Sequence, residues 1–566
     1  MNPRCPRCSR RPLSGDSYDR TIAALEGMVR TRVAVRACPD HPDLRMLSDT
    51  ASGAVLRMIG RVDMGVEVLI GLLHWHLGMK RSEIDTFLRS HDIRLSTGTI
   101  SNRALDFLLL FAQLHRARSE RLRTVFENRG GYVLHVDGTF RTGGRVTFVL
   151  QEDRNGLILD AGLIEFESGE PVRRMLESCK DRFGAPMVVV RDGSENLAQA
   201  ISLVFPDVPQ QLCQPHFLRS TEEALLADAH AELKSCLLKH RLSRNLKCLR
   251  VAHADPGRQL MDLERLFVHI VVDYLFHPVK HQSKWLSSPL PYYFQYERIK
   301  QVAPLVERLV RCNASRSFVC APLMDLDRHL RGVTKDPAIR DVFFLMHRTI
   351  KWMDRMRCVL RISRETHLKD ARPDGQSLGE TETQLRGILS EIVEQGRGMG
   401  GKYESAALSL RNTFEGHWEE LFVPVPVVKG RPFNFRRHNN ALETCHRRTR
   451  KSIRERTGRE QTRMEMEQHG DLLAILSNLQ NPVYQALALG DIKDLGEALA
   501  ESIPELPRLR NEYRLTRAGP ERPVPDDDRL PMMLSFVQIL ESSKDDLAIL
   551  PRLMGLVRLE GTPVLA

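Results

Sequence analysis

Residues able to do chemistry gather in three places along this 566-residue chain. Near the start, Cys5-Pro-Arg-Cys8 is followed by Cys38-Pro-Asp-His41. Two such pairs can close a tetrahedral zinc site of three thiolates and an imidazole, with the segment between them folded as a ribbon. In the middle, Asp137 and Asp192 each end a β-branched apolar run and each precede a glycine. Hard carboxylate oxygens suit a divalent cation, although an Asp-Gly after a strand is also an ordinary turn. Late in the chain, Asn439-Asn440 leads to Glu443 and then to a dense run of basic residues.

Periodicity says which elements must hold these groups. Val188 to Val190 reads as a strand buried on both faces that delivers Asp192 into its turn. Leu197, Ala200, Ile201 and Val204 recur at helical spacing, and Gln210 to Cys213 predicts a short strand ending in Cys213-Gln-Pro-His216. Upstream, strands are expected from Gly131 through Asp137, from Arg145 to Gln151 and from Gly156 to Phe166, with a helix from Val172 to Phe183. Three antiparallel strands, a helix, a strand, a helix and a strand predict one mixed sheet.

Ahead of that sheet, Met64 to Leu114 predicts three helices, the second starting at Ser82 with Asp85 in a capping role and the third near Ser96. A helix-turn-helix would aim Thr99, Asn102 and Arg103 at base edges, though any three-helix bundle shares the pattern. From Phe217 to Val428 the text is helical, and the aromatic run Pro291 to Tyr296 reads as packing rather than as a base-stacking platform. Asn439 or Asn440 is expected to cap a helix carrying Glu443 in its first turn. Arg436, Arg437, Arg447, Arg448, Arg450, Lys451 and Arg454 cluster about that helix and suit phosphate contact. Ala518 to Pro531 reads as a linker and Met532 to Val557 as an amphipathic tail.

Composition narrows the class. Lys and Arg number 83 against 72 Asp and Glu, a formal charge of +11 that favours a polyanionic partner. The 11 cysteines are scattered apart from the first pair, which suits a reducing compartment better than a disulfide framework. No run of about 18 apolar residues occurs and Met1 to Pro6 lacks a signal-peptide core, so a soluble intracellular protein is expected.

The order Asp192-Gly, helix, Phe205-Pro206, Gln211 and Cys213-x-x-His216 resembles the corresponding stretch of bacterial insertion-sequence and Mutator-like DDE transposases. Asn439-Asn440-x-x-Glu443 with spaced arginines is similar to the last catalytic motif of those families. Gln214 and Ser220 depart from the aromatic and asparagine that many relatives carry there. The resemblance implies a multidomain α+β protein: an RNase H-like mixed sheet interrupted by a large all-α insertion, with an N-terminal zinc ribbon and helix-turn-helix and a helical C-terminus. It divides the chain into 1–55, 56–128, 129–216, 217–430, 431–460 and 461–566. It further implies that Asp137, Asp192 and Glu443 hold two Mg²⁺ or Mn²⁺ ions for DNA strand cleavage and transfer. Cys213 and His216 would organise the active site or touch DNA. Expected partners are double-stranded DNA, as element ends and target, and a second copy in a synaptic homodimer. The alternatives are a catalytically silent DNA-binding derivative and a metal-dependent nuclease that does not join strands.

Overall fold

The computed structural model describes residues 4–5, 7–50, 57–139, 145–164, 169–252, 263–276, 290–312, 321–362, 378–490 and 495–517. It opens with an antiparallel meander of β1 (Leu13–Ala24), β2 (Gly27–Cys38) and β3 (His41–Asp49). β4 (Met58–Ile59) and β5 (Val62–Asp63) form a hairpin that joins the meander by parallel pairing of Val62 with Ala23. The three expected helices follow as α1 (Met64–Gly71), which runs on as a π-helical turn over Leu72–His76, α2 (Arg81–Ser90) and α3 (Thr97–Ala117). Gly71 is where α1 and α3 meet; any β-carbon there would overlap the Phe107 ring. The start of α2 differs from the sequence reading. The Lys80 N–H donates to the Glu83 carboxylate at 2.7 Å, while Asp85 pairs with Arg89 on the solvent side. α4 (Ser119–Asn128) then leads into the second sheet.

That sheet takes β6 (Val133–Thr139), β7 (Val146–Glu152) and β8 (Ile158–Ile164), then, after α5 (Gly169–Phe183), β9 (Val188–Arg191) and, after α6 (Glu195–Val204), β10 (Gln210–Leu212). Its order is β10-β9-β6-β7-β8, with β6, β7 and β8 antiparallel and β9 and β10 parallel to β6. β7 and β9 are buried along their whole length, as continuous apolar runs require when both faces are covered. α5 covers one face of β8, where Gly162 admits Met175 and Asp160 pairs with Arg182. The other face, which carries Thr147, lies under Gly470 of a later helix.

After β10 the described chain is helical through α7 (Gln214–Lys239), α8 (Leu242–Ala252), α9 (Leu263–Phe276), α10 (Pro291–Cys312), α11 (Ala321–Thr334), α12 (Pro337–Val359), α13 (Leu378–Met399), α14 (Gly401–Gly416) and α15 (Trp418–Leu421). Two apolar cores form. One joins the C-terminal half of α7 to α8–α12, and the other joins the start of α7 to the end of α12 and to α13–α15. Tyr293, Phe294 and Tyr296 are buried in the first, with Tyr293 stacked 5.0 Å from Phe343, so the aromatic run is packing.

The chain returns through β11 (Val427–Val428) and β12 (Arg431–Pro432) to α16 (Asn440–Thr457), then α17 (Arg463–Leu476), α18 (Pro482–Tyr484) and α19 (Leu495–Ala500). α17 lies on β7 and β8, and beyond it the Asn478 amide exchanges two hydrogen bonds with the Ile158 backbone, at 2.9 and 2.8 Å, closing the exposed edge of β8. A second unit begins at Ile503; its described part, residues 503–517, contains α20 (Leu506–Arg517), where Arg508 pairs with Glu505 and Glu512. The expected linker and tail lie outside the described residues. Among the described residues no helix is long and apolar enough to cross a membrane.

His115 ties α3 to the sheet: its Nε2 donates to the Leu159 carbonyl at 2.9 Å and its Nδ1 accepts from the Tyr484 hydroxyl at 3.0 Å. Burial pushes His115, His74 and His446 each down to about 4. Between that value and the ordinary value of about 6.5 the unfolded chain binds protons that the fold excludes, so stability is full above pH 6.5 and is lost as pH falls toward 4. The urea midpoint is expected to decline over that interval. His115→Gln is expected to make the decline shallower by about one proton while lowering the neutral-pH midpoint, because the Tyr484 and Leu159 groups lose their partner.

Candidate active site and metal centre

Strand register assembles the first part of the site. β6 and β9 pair with His135 opposite Val190, and β9 and β10 pair with Arg191 opposite Leu212. Continuing those ladders sets Asp137, Asp192 and Cys213 in one row across the C-terminal ends of three parallel strands. Side chains alternate along strands, so the three share a face. It is the face of Val149, which pairs with Asp137, and therefore the face covered by α17. Asp137 is buried, and the Asp192 carboxylate accepts from the Ser194 N–H at 3.0 Å in the turn that starts α6.

The second part arrives from the far side of the helical excursion. Val423, Phe433 and Phe435 pack on Val133, Val188 and Val190, so the returning chain runs along the same face of the sheet. The Arg437 carbonyl accepts from the Gln214 N–H at 3.0 Å, and the Asn439 N–H donates to Cys213 Sγ at 3.3 Å. Asn439 is fully buried at the cap position of α16, yet its side chain does not cap the helix. Its Oδ1 meets His135 Nδ1 at 2.9 Å and its Nδ2 donates to the Val136 carbonyl at 2.9 Å. His135 Nε2 in turn meets Asp153 at 3.0 Å, and Arg436 Nε donates to Asp153 at 2.7 Å. His135 and Arg436 hold the Asp153 carboxyl below the ordinary range although burial opposes them.

Glu443, one turn into α16, meets His216 Nε2 at 3.0 Å. Cys213 and Glu443 beside the ring, with Asp137 nearby, push His216 up to about 11 against the cost of burial. The carboxylates are hard-oxygen donors in one mouth, and Asp137, Asp192 and Glu443 are the residues that would hold Mg²⁺. They are not drawn in to the spacing of a single coordination sphere. Among the described residues the one group of three or more whose ligand atoms lie within 4.8 Å of one another is Cys5, Cys8, Cys38 and His41.

That N-terminal group could hold zinc. The two-residue turn after β2 sets Cys38 directly opposite His41, and Ser9, at φ 58°, closes the Cys5–Cys8 turn with its N–H on the Cys5 carbonyl. Cys5 Sγ lies 3.7 Å from His41 Nδ1, Cys8 Sγ 3.4 Å from Cys38 Sγ, and Cys38 Sγ 3.8 Å from His41 Nδ1. Tetrahedral Zn–S and Zn–N bonds of about 2.3 and 2.05 Å give ligand-to-ligand edges of about 3.6 to 3.8 Å. The described cysteines form no disulfide.

The expected DNA-contact residues divide. Thr99 and Asn102 stand at the start of α3 with Asn102 exposed, whereas Arg103 turns inward to Asp106 at 2.8 Å and Glu67 at 3.7 Å. Arg436 is engaged by Asp153, and Arg437 by Gln211 and the Val423 carbonyl. These three arginines are structural. On α16, Arg447, Arg448, Lys451 and Arg454 are exposed and Arg450 is half-buried. A cleft of about 620 Å³ lies beside α16 between Arg448, Gln151 and Ser477, and does not include the acids. Sequence reasoning missed His135, Asp153 and the true role of Asn439. The signal for His135 was its place two residues before Asp137 on a strand, hence on the same face.

No protein-family model and no curated protein matches the chain.

Metal analysis of the purified chain is expected to find one zinc per molecule. Cys38→Ser should weaken its retention against a chelator by more than about 100-fold, above what loss of an outer-shell partner costs, while the exposed Cys248→Ser leaves it unchanged.

Proposed function

We propose that the chain is a DNA transposase whose β6–β10 sheet is an RNase H-like catalytic domain, interrupted between β10 and α16 by an all-helical insertion. The observation that carries the reading is the alignment of Asp137 and Asp192 at matched positions on adjacent parallel strands, with Glu443 returning to the same mouth from 200 and more residues downstream. The strand order, with three antiparallel strands followed by two parallel to the first, agrees with it.

In this reading Asp137, Asp192 and Glu443 hold two divalent ions, Mg²⁺ or Mn²⁺. When bound, these supply Lewis-acid activation of a water or terminal hydroxyl and stabilise the leaving oxygen of a phosphodiester. The protein's own part is to fix Asp137 and Asp192 at matched positions on adjacent strands and Glu443 in the first turn of α16. His216, 3.0 Å from Glu443, holds that carboxylate from the side of α7 and offers a donor beside the acids. Arg447, Arg448, Lys451 and Arg454 form a positive surface along α16 and would follow a DNA backbone. Thr99 and Asn102 are the remaining candidates for reading base edges in element ends. The substrates are double-stranded element ends and a target duplex, and holding two ends calls for a homodimer in the synaptic complex.

The test is Mg²⁺-dependent cleavage and strand transfer on DNA flanking the coding region. The native chain is expected to yield cut and joined products, and Asp137→Ala, Asp192→Ala and Glu443→Gln each to lower both by more than about 100-fold without loss of DNA binding. Cutting without joining would make the protein a nuclease. Binding with no cleavage in any form would make it a catalytically silent DNA-binding derivative.

A further inference from the structure

We infer that Asn439 is the positioning residue of the acidic site: it sets where Glu443 stands relative to Asp137 and Asp192. The inference rests on reading those acids as a divalent-metal site.

Asn439 does not play the part usual at its position. An asparagine at a helix N-cap ordinarily turns its side chain onto an N–H of the first turn. Asn439 occupies that position and makes no such bond. Its amide points instead into the sheet, where Oδ1 meets the His135 ring and Nδ2 meets the carbonyl of Val136, the two residues immediately before Asp137. Its own N–H reaches Cys213 Sγ, and Cys213 shares the row of Asp137 and Asp192. Its carbonyl accepts the Glu443 N–H at 3.0 Å as the first hydrogen bond of α16. One residue therefore touches the strand bearing the first acid, the end of the row bearing the second, and the backbone of the third.

What lies behind Asn439 makes the contact stiff. His135 is held from its other nitrogen by Asp153, and Asp153 by Arg436, which precedes Asn439 by three residues in the same returning segment. The chain from Arg436 to Asn439 thus closes a loop of hydrogen bonds onto β6 and the turn after β7. All of it is buried or half-buried, where such bonds are strong and their geometry restrictive. The Glu443 side chain itself is 54% exposed and meets His216. The direction of the helix is fixed at Asn439, and Glu443 takes its place from that direction.

Capping and bridging can be separated experimentally. Asn439→Ser supplies a good N-cap but is too short to span to both His135 and Val136. The measurement is Mn²⁺ binding by electron paramagnetic resonance, counted as the binding lost in Asp192→Ala, together with thermal melting. Asn439→Ser is expected to bind that Mn²⁺ about 10- to 100-fold more weakly than the native chain, the range for loss of a group that orients a metal ligand, with a melt that is lowered by the lost buried bonds but still cooperative. His135→Gln, which leaves the Val136 bond in place, is expected to weaken it in the same direction and by less, and serves if the serine variant does not fold. Native Mn²⁺ affinity in both folded variants would overturn the positioning role while leaving the metal site standing. No Asp192-dependent Mn²⁺ binding in the native chain would overturn both.

Discussion

Parallel pairing of β9 with β6, in the register that puts Val190 beside His135, is the constraint on which the site depends. A parallel strand cannot be reached by a tight turn; the chain must cross over, and here α5 makes the crossing. Once β9 lies there, the alternation of side chains decides which residues share a face. A slip of one residue would send Asp192 to the side of α5 and leave Asp137 alone. The register is defended by burial. Val188, Val189 and Val190 are fully enclosed, and Val188 and Val190 pack with Val133 against Val423, Phe433 and Phe435. The same apolar contact that fixes the strands also seats the returning chain, so the placement of two acids and the delivery of the third have one cause.

Electrostatics then has to accommodate what packing has assembled. Carboxylates brought together in a partly buried mouth repel one another and lose hydration, a cost that a donor beside them lowers. His216 supplies that donor from the first turn of α7, a residue placed by the same Cys213 that receives the Asn439 N–H. Elsewhere the fold answers buried charge with direct pairing: Arg103 lies between Glu67 and Asp106, Arg357 meets Glu222, and Arg456 meets Glu465 while stacking over Trp75. Breaking any of these would strand a buried charge, which is why arginines that read as phosphate contacts in the sequence can be structural in the fold.

Much of the sheet was legible because its signals are local. β-branched runs ending in Asp137 and Asp192 and the helical spacing of Leu197 to Val204 match the structure, as do the three helices after Met64. The Cys and His pairs also came together as their spacing suggested. What composition could not reveal was partnership across long separations. Arg436 beside Asp153 and His135 beside Asn439 are contacts between residues 283 and 304 apart. A cluster of arginines looks the same in a sequence whether its members face solvent or a buried carboxylate. The closing of β8 by Asn478 was equally hidden, since an asparagine that imitates a neighbouring strand has no periodicity to announce it.

The helical segment between β10 and α16 raises a question of cost, because Cys213 and Asn439, which touch, are 226 residues apart. Closure entropy grows only with the logarithm of loop length, about 0.6 kcal/mol for each doubling, so the length itself is tolerable. What matters is that the ends be held independently of what lies between. Gln214 begins α7 with its N–H on the Arg437 carbonyl, and Gln211 and Gln214 both donate to the Leu421 carbonyl. Arg191 of β9 reaches Glu420 at 2.9 Å. Exit and re-entry are thereby fastened to each other and to the sheet within a few residues of the acids. The two helical cores stabilise themselves through their own apolar contacts, so the geometry at Asp137, Asp192 and Glu443 is set at the neck of the excursion rather than along its length.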